Sequence, residues 1–196
     1  MRPFSQACEN NTEPILGVLR QVFADRSCVL EIGSGTGQHA VAFAAAMPSL
    51  VWQTSERPEN HAGIQEWISA EGGPNLRRPL TLDVASDPWP SLETDAAFSA
   101  NTAHIMSLEE VAATFVGLGH LLPSGAPYAL YGPFFMDDRT SAPSNLGFDR
   151  MLRERDPNSG IRRLDILDGL AAKVGIQREA MFALPANNDL IVWRRK

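Results

Sequence analysis

The chain has 196 residues and a formal charge of −6, from 17 Lys and Arg against 23 Asp and Glu. Hydrophobic residues at 44% and charged residues at 20% exclude a disordered or collagen-like chain. The acidic balance argues against a nucleic-acid-binding protein, because the basic clusters, such as Arg77-Arg78 and Arg194-Arg195-Lys196, are short.

The spacing predicts a first helix over 11–24, with Thr12 as its cap and Pro14 in its first turn. A short buried strand over 27–32 runs into a glycine-rich loop at 33–37, and an alanine-rich helix follows over 38–47. A strand over 50–54, a helix from 58 to about 70 and a strand over 79–82 come next. Strands over 95–100 and 126–131 flank a helix over 108–118 capped by Ser107. A polar segment from 136 leads to helices over 145–155 and 164–174. Two last strands, 177–182 and 189–193, are joined by a tight turn at Pro185-Ala186-Asn187-Asn188, which requires antiparallel pairing. Apolar strands alternating with helices give an α/β domain over residues 1–196. It is Rossmann-like and doubly wound, with a mainly parallel seven-stranded sheet, one late antiparallel strand and helices on both faces.

The longest wholly apolar run, at 40–47, is eight residues, where a membrane span needs ~20. No apolar stretch follows Met1, so a soluble, cytoplasmic chain is expected. Cys8 and Cys28 lack CxxC spacing and the four His are scattered, so neither a disulfide framework nor a metal site is expected.

The stretch Glu31-Ile32-Gly33-Ser34-Gly35-Thr36-Gly37-Gln38 carries the most information. Glycines after a strand let a ligand approach the backbone, at the end of the sheet where open α/β folds bind ligands. A phosphate-binding P-loop would need Gly-Lys-Ser/Thr, and Gln38 stands in the Lys position. A dinucleotide fingerprint can be read from Gly35 and Gly37 with Ala40 in the third place, so an NAD-linked oxidoreductase stays open. Glu31-x-Gly33-x-Gly35-x-Gly37 resembles motif I of the class I S-adenosylmethionine-dependent methyltransferases. That resemblance implies glycines lying under the methionine and ribose of the cofactor, with Glu31 ordering the loop or meeting the ammonium through water. Glu56, after the second strand, can accept both ribose hydroxyl protons. Asp83, at the end of the third strand, corresponds to the acid that takes the adenine amino proton in that class.

A closer resemblance spans nearly the whole chain. Asn11-Thr12-Glu13-Pro14, the glycine loop through His39, Asn101 with His104-Ile105, Tyr131-Gly132-Pro133-Phe134, Ser144-Asn145 with Phe148-Asp149, Gly160-Ile161-Arg162 and Pro185-Ala186-Asn187-Asn188 fall in one order. The chain resembles the family called methyltransferase-like twenty-six, a domain-of-unknown-function group of class I methyltransferase type. The resemblance implies the fold and S-adenosylmethionine as cofactor, and leaves the substrate unnamed.

Methyl transfer asks mainly for in-line positioning, because the sulfonium is already activated. His104, after the fourth strand, is the candidate base for a protonated acceptor, or orders its loop by hydrogen bonds. Asn101 either meets the acceptor or satisfies its own turn. Tyr131, at the end of the fifth strand, lines the pocket or lies in the core. His39 meets the cofactor carboxylate or faces the first helix. The expected partner is a small-molecule methyl acceptor, since the chain has no basic face. A non-catalytic S-adenosylmethionine or metabolite binder is the alternative to an enzyme.

Overall fold

The computed structural model describes residues 2–196. Its main sheet is built on β1 (Cys28–Ile32), which pairs in parallel with β2 (Val51–Glu56) on one side and β4 (Ala96–Ala100) on the other. Both faces of β1 are covered, so its sequence is apolar almost throughout, as buried parallel strands are. β3 (Leu76–Thr81) extends the sheet beyond β2, and β5 (Pro127–Gly132) beyond β4. The order is β3-β2-β1-β4-β5-β9-β8. β9 (Asn188–Arg195) runs antiparallel to both β5 and β8 (Ile176–Leu184), as the tight turn demands. Ala186 and Asn187 take left-handed backbone at φ 61° and 57° to close that turn.

Helices α1 (Gln6–Val22), α2 (Gln38–Ala46) and α3 (His61–Glu71) pack on one face. Ile15, Leu19 and Phe43 meet Trp52 and Phe98 of the sheet there. On the other face α4 (Leu108–Leu121) and α6 (Leu164–Lys173) bury Phe115, Leu118 and Leu167 against Tyr128 and Trp193. α5 (Pro143–Arg155) lies at the carboxyl end of the strands. Among the described residues no helix is long and apolar enough to cross a membrane.

Several boundaries differ from expectation. α1 begins at Gln6, not 11, and Ser5 caps it by accepting from the Cys8 amide. Pro14 therefore sits inside the helix, and Thr12 is not the cap; its hydroxyl donates to the Cys8 carbonyl at 2.7 Å. Glu56 is the last residue of β2 rather than beyond it, and Asp83 lies two residues past the end of β3. A two-residue ribbon, β6 (Phe134–Phe135) with β7 (Arg162–Arg163), gave no readable pattern in the sequence.

Asp189 of β9 is 0% exposed and accepts both ends of the Arg139 guanidinium, one at 3.0 Å. Arg139 belongs to the segment predicted as merely polar. Removing one partner of a buried ion pair leaves a charge without compensation. Arg139→Met should cost about 3 kcal/mol in urea unfolding, the low end for such pairs because Arg139 is partly exposed. Asp189→Asn added to it should recover part of that loss.

Candidate functional site

A cavity of about 820 Å³ opens at the carboxyl ends of β1, β2 and β4. This is where the strand order reverses on either side of β1 and β4, the ligand crevice of open α/β sheets. The glycine loop forms its floor. Gly33, Gly35 and Gly37 all take positive φ, at 70°, 56° and 89°. A Cβ on Gly33 would come within 2.6 Å of the Thr102 methyl, so the loop after β1 lies against the loop after β4. A Cβ on Gly35 would meet nothing within 4 Å, because that residue faces the open cavity.

Glu31 is 2% exposed and lines the cavity from below the loop. Its Oε2 accepts from the Ser34 hydroxyl at 2.8 Å and the Trp52 indole at 3.1 Å. Its Oε1 has no partner among the described residues, where every fully enclosed side-chain polar atom has one, so this oxygen opens on the cavity. Burial pushes the Glu31 carboxyl up to about 7, against the pull of Trp52 and Ser34 and with help from the charge of Glu56. Glu56 grips the loop directly: its Oε2 accepts from the Gly35 amide at 2.8 Å and its Oε1 from the Arg57 amide at 2.9 Å.

The opposite wall carries neutral polar groups. His104 is 6% exposed, and its ring packs edge-on to Phe148 with centroids 5.1 Å apart. The ring makes no hydrogen bond within the described residues, so it does not order its loop that way. Burial and the Arg162 charge pull the imidazole down to about 4, which leaves it neutral near pH 7. Asn101, in left-handed backbone at φ 60°, also lines the cavity. A point beside the Gly132 Cα lies 3.8 Å from His104 Nδ1 and 3.9 Å from Asn101 Oδ1, so the two groups converge.

Three expected site residues are placed elsewhere. Gly37 does not line the cavity, and a Cβ there would lie 3.1 Å from Ile64 Cα of α3. Asp83 does not line the cavity, although its neighbours Leu82 and Val84 do. Its Oδ1 accepts from the Ala85 amide at 3.1 Å, and its Oδ2 pairs with Arg57 Nε at 3.1 Å. Tyr131 is 1% exposed and sits in the core beneath α1, one layer behind the wall, with its hydroxyl on the Asn188 side chain. Desolvation pushes its phenol up to about 12. His39 is tied to α1 through Nε2 and the Cys8 carbonyl at 3.2 Å, and burial pulls it down to about 4. Reading the sequence missed the walls supplied by Ala7, Cys8 and Asn11 of α1, by Arg57, and by Asn145 and Phe148 of α5. The runs Ser144-Asn145 and Phe148-Asp149 were the one available signal for α5. Arg57 is neutralised by Asp83 and by Glu110, whose other oxygen accepts from the Ser107 amide in the capping box of α4.

The strand order, the reversed strand and the glycine loop over an acidic strand end are together the architecture of a class I methyltransferase fold. The chain belongs to the family described as protein of unknown function (DUF938), which it matches over residues 2–195. Solved structures share the fold. TnmH superposes with a TM-score of 0.82 at 17% identity, over 97% of this chain and 56% of its own. The apo S-adenosylmethionine-dependent methyltransferase SibL gives 0.81 at 22% identity, over 96% and 55%. Human N-acetylserotonin methyltransferase in complex with SAM gives 0.81 at 17%, over 97% and 53%. This chain thus spans about half the length of each of them.

Glu31 sets a pH dependence opposite to that of His39 and His104. Between its ordinary value of 4.5 and about 7 the folded chain holds a Glu31 proton that the unfolded chain releases, so acidification favours folding through this group. The two histidines, neutral when folded down to about 4, oppose folding as pH falls below 6.5. Glu31→Gln should therefore lose stability more steeply than the parent from pH 7 to 4.5, by up to about 1.4 kcal/mol per pH unit in urea titrations. Parallel slopes would mean that Glu31 is ionised throughout.

Proposed function

We propose that this chain is an S-adenosylmethionine-dependent methyltransferase acting on a small molecule, as one domain over residues 1–196, and that it corresponds to the methyltransferase-like twenty-six group. The observation that carries the proposal is the charge of the cavity floor. Glu31 and Glu56 face a crevice whose one lining cation among the described residues, Arg57, is already paired. Such a floor suits a ligand with a cationic centre and vicinal hydroxyls, and disfavours the pyrophosphate of a dinucleotide. The free Glu31 oxygen and the empty space over Gly35 fit that cofactor. A small-molecule acceptor is supported by structures of the same fold described as mitomycin 7-O-methyltransferase MmcR and as an O-methyltransferase complex with apigenin.

When bound, S-adenosylmethionine supplies a methyl group on a positively charged sulfur. Glu31 faces the cationic end and Glu56 the ribose hydroxyls, while Leu82 and Val84 give apolar surface for the base. Asp83 is left out of this assignment because it does not line the cavity. Asn101 and His104 converge from the other side. The neutral imidazole takes the proton that a hydroxyl or amine acceptor gives up as its new bond forms. Asn101 orients the acceptor, and the rest of the rate comes from holding the reacting atoms in line.

Calorimetry with S-adenosylhomocysteine tests the cofactor half. Gly35→Val should abolish binding in a folded protein, since its side chain would enter the cavity and strain a left-handed residue. Glu56→Ala should weaken binding by about 1.5–3 kcal/mol, the range for hydrogen bonds to a charged group, with Glu56→Gln between it and the parent. Heat from NAD in place of S-adenosylhomocysteine would return the dinucleotide reading.

The acceptor half separates binding from chemistry. His104→Ala should keep S-adenosylhomocysteine affinity within about 1 kcal/mol, because the ring is not bonded to the glycine loop. Turnover with an acceptor should fall by ~10²–10⁴-fold, and the pH–rate profile should lose the acidic limb on which the imidazole gains its proton. Full turnover would leave positioning as the whole mechanism, and cofactor binding with no product from any acceptor pool would favour the non-catalytic binder.

A further inference from the structure

Gly160-Ile161-Arg162 is one of the runs that carry the family resemblance, yet none of the three lines the cavity. Arg162 is 9% exposed and forms no ion pair among the described residues. Its guanidinium is spent on carbonyls instead. Nε donates to Ala103 O at 2.9 Å, and Nη2 donates to Met106 O and, at 2.7 Å, to Asn158 O. The Gly160 amide donates to His104 O at 2.9 Å, and the Ser159 hydroxyl to Ile105 O at 3.0 Å. Four consecutive carbonyls, 103 to 106, are thus held from one segment, and they belong to the loop that carries His104.

The gripping segment is itself fixed. The Ile161 amide donates to Asp149 Oδ1 of α5 at 2.7 Å, and Arg162 pairs in the β6–β7 ribbon with Phe134. Gly160 takes φ 142°, and a Cβ there would strike the Arg153 guanidinium at 2.6 Å. Burying a cation without a carboxylate is costly, and an apolar side chain would fill the same space at less expense. Stability alone does not account for an arginine here, whereas a planar fork spanning several carbonyls in fixed geometry does.

We propose that Arg162, with Ser159 and Gly160, is a positioning group that holds the 103–106 loop so that His104 is aimed into the cavity, without touching the acceptor itself. This rests on reading His104 as the acceptor-side base. Around the ring stand Phe148 from α5, Gly132 at the end of β5 and Asn101 from its own loop. Arg162 is the charged group that acts on the ring, while Asp156 and Glu110 line the same cavity.

The test is an imidazole NMR titration of His104, assigned through His104→Ala, in the parent and three variants, with S-adenosylhomocysteine affinity and melting temperature measured alongside. Arg162→Lys keeps the charge but cannot span the carbonyls. It should move the His104 midpoint up from about 4 by about one unit or more toward its ordinary 6.5 as the loop loosens and the ring is hydrated. Ser159→Ala, with no change of charge, should move it the same way by less, and the exposed neighbour variant Arg163→Met should not move it. Affinity for S-adenosylhomocysteine should stay within about threefold throughout. A folded Arg162→Lys with a parental His104 midpoint overturns the proposal, even if its melting temperature falls. Should Arg162→Lys not fold, an unmoved midpoint in Ser159→Ala overturns it. A parent that does not bind S-adenosylhomocysteine defeats the methyltransferase reading separately, and the NMR arm still decides the role of Arg162.

Discussion

The buried carboxylate of Glu31 is the joint on which the site is built. A carboxyl with almost no contact with water must be bonded or protonated, and here one oxygen takes both available donors. One donor, Ser34, belongs to the glycine loop. The other, Trp52, is the centre of an aromatic cluster with Phe23, Phe43 and Phe98. The loop is therefore fastened to the aromatic core, and the remaining oxygen is presented to the cavity as a consequence. Glu56 repeats the arrangement at the loop's tip through the Gly35 amide.

Much of this was legible in the sequence, for identifiable reasons. The strands of a doubly wound sheet are apolar because both faces are covered, and the tight turn before β9 permits only an antiparallel partner. Gly33, Gly35 and Gly37 mark the loop because all three take left-handed backbone, and at Gly33 and Gly37 a Cβ would also meet close neighbours. Asp83 was misplaced for the opposite reason: an acid beyond a strand end serves equally as a ligand group or as a partner for a nearby Arg, and Arg57 is far away in sequence. Tyr131 faces the core because it alternates along β5 with residues of the other face, and its phenol found a partner in Asn188. The start of α1 was hidden by Pro14, which ordinarily marks a first turn. The grip of residues 159–162 on the His104 loop joins segments more than fifty residues apart, through backbone carbonyls that no residue pattern records.

The two walls differ in electrical character. The floor carries Glu31 and Glu56 and is anchored to the core; across it converge the His104 imidazole, uncharged near neutrality, and the Asn101 amide, with Glu110 and Asp156 also on the lining. Three arginines nearby are committed: Arg57 to Asp83 and Glu110, Arg153 to Asp149, Arg162 to carbonyls. A ligand with separated positive and neutral reactive parts would thus be oriented by the cavity before any group moves, which is preorganisation in the sense that matters for rate.

The proline within α1 divides that helix into two mechanical parts. Pro14 has no amide hydrogen, so the Asn10 carbonyl lacks its helical donor. C-terminal to it, Ile15, Leu16, Val18 and Leu19 are buried in the core. N-terminal to it, Ala7, Cys8 and Asn11 line the cavity, held by the polar contacts of Ser5 with Gln38 and of Cys8 with His39. Contacts of that kind exchange for water at small net cost, while apolar burial does not. The first two turns of α1 thus border the crevice through polar contacts, and the turns after Pro14 are the ones fixed by apolar packing. Opening the first two turns would leave the buried Ile15, Leu16, Val18 and Leu19 in place.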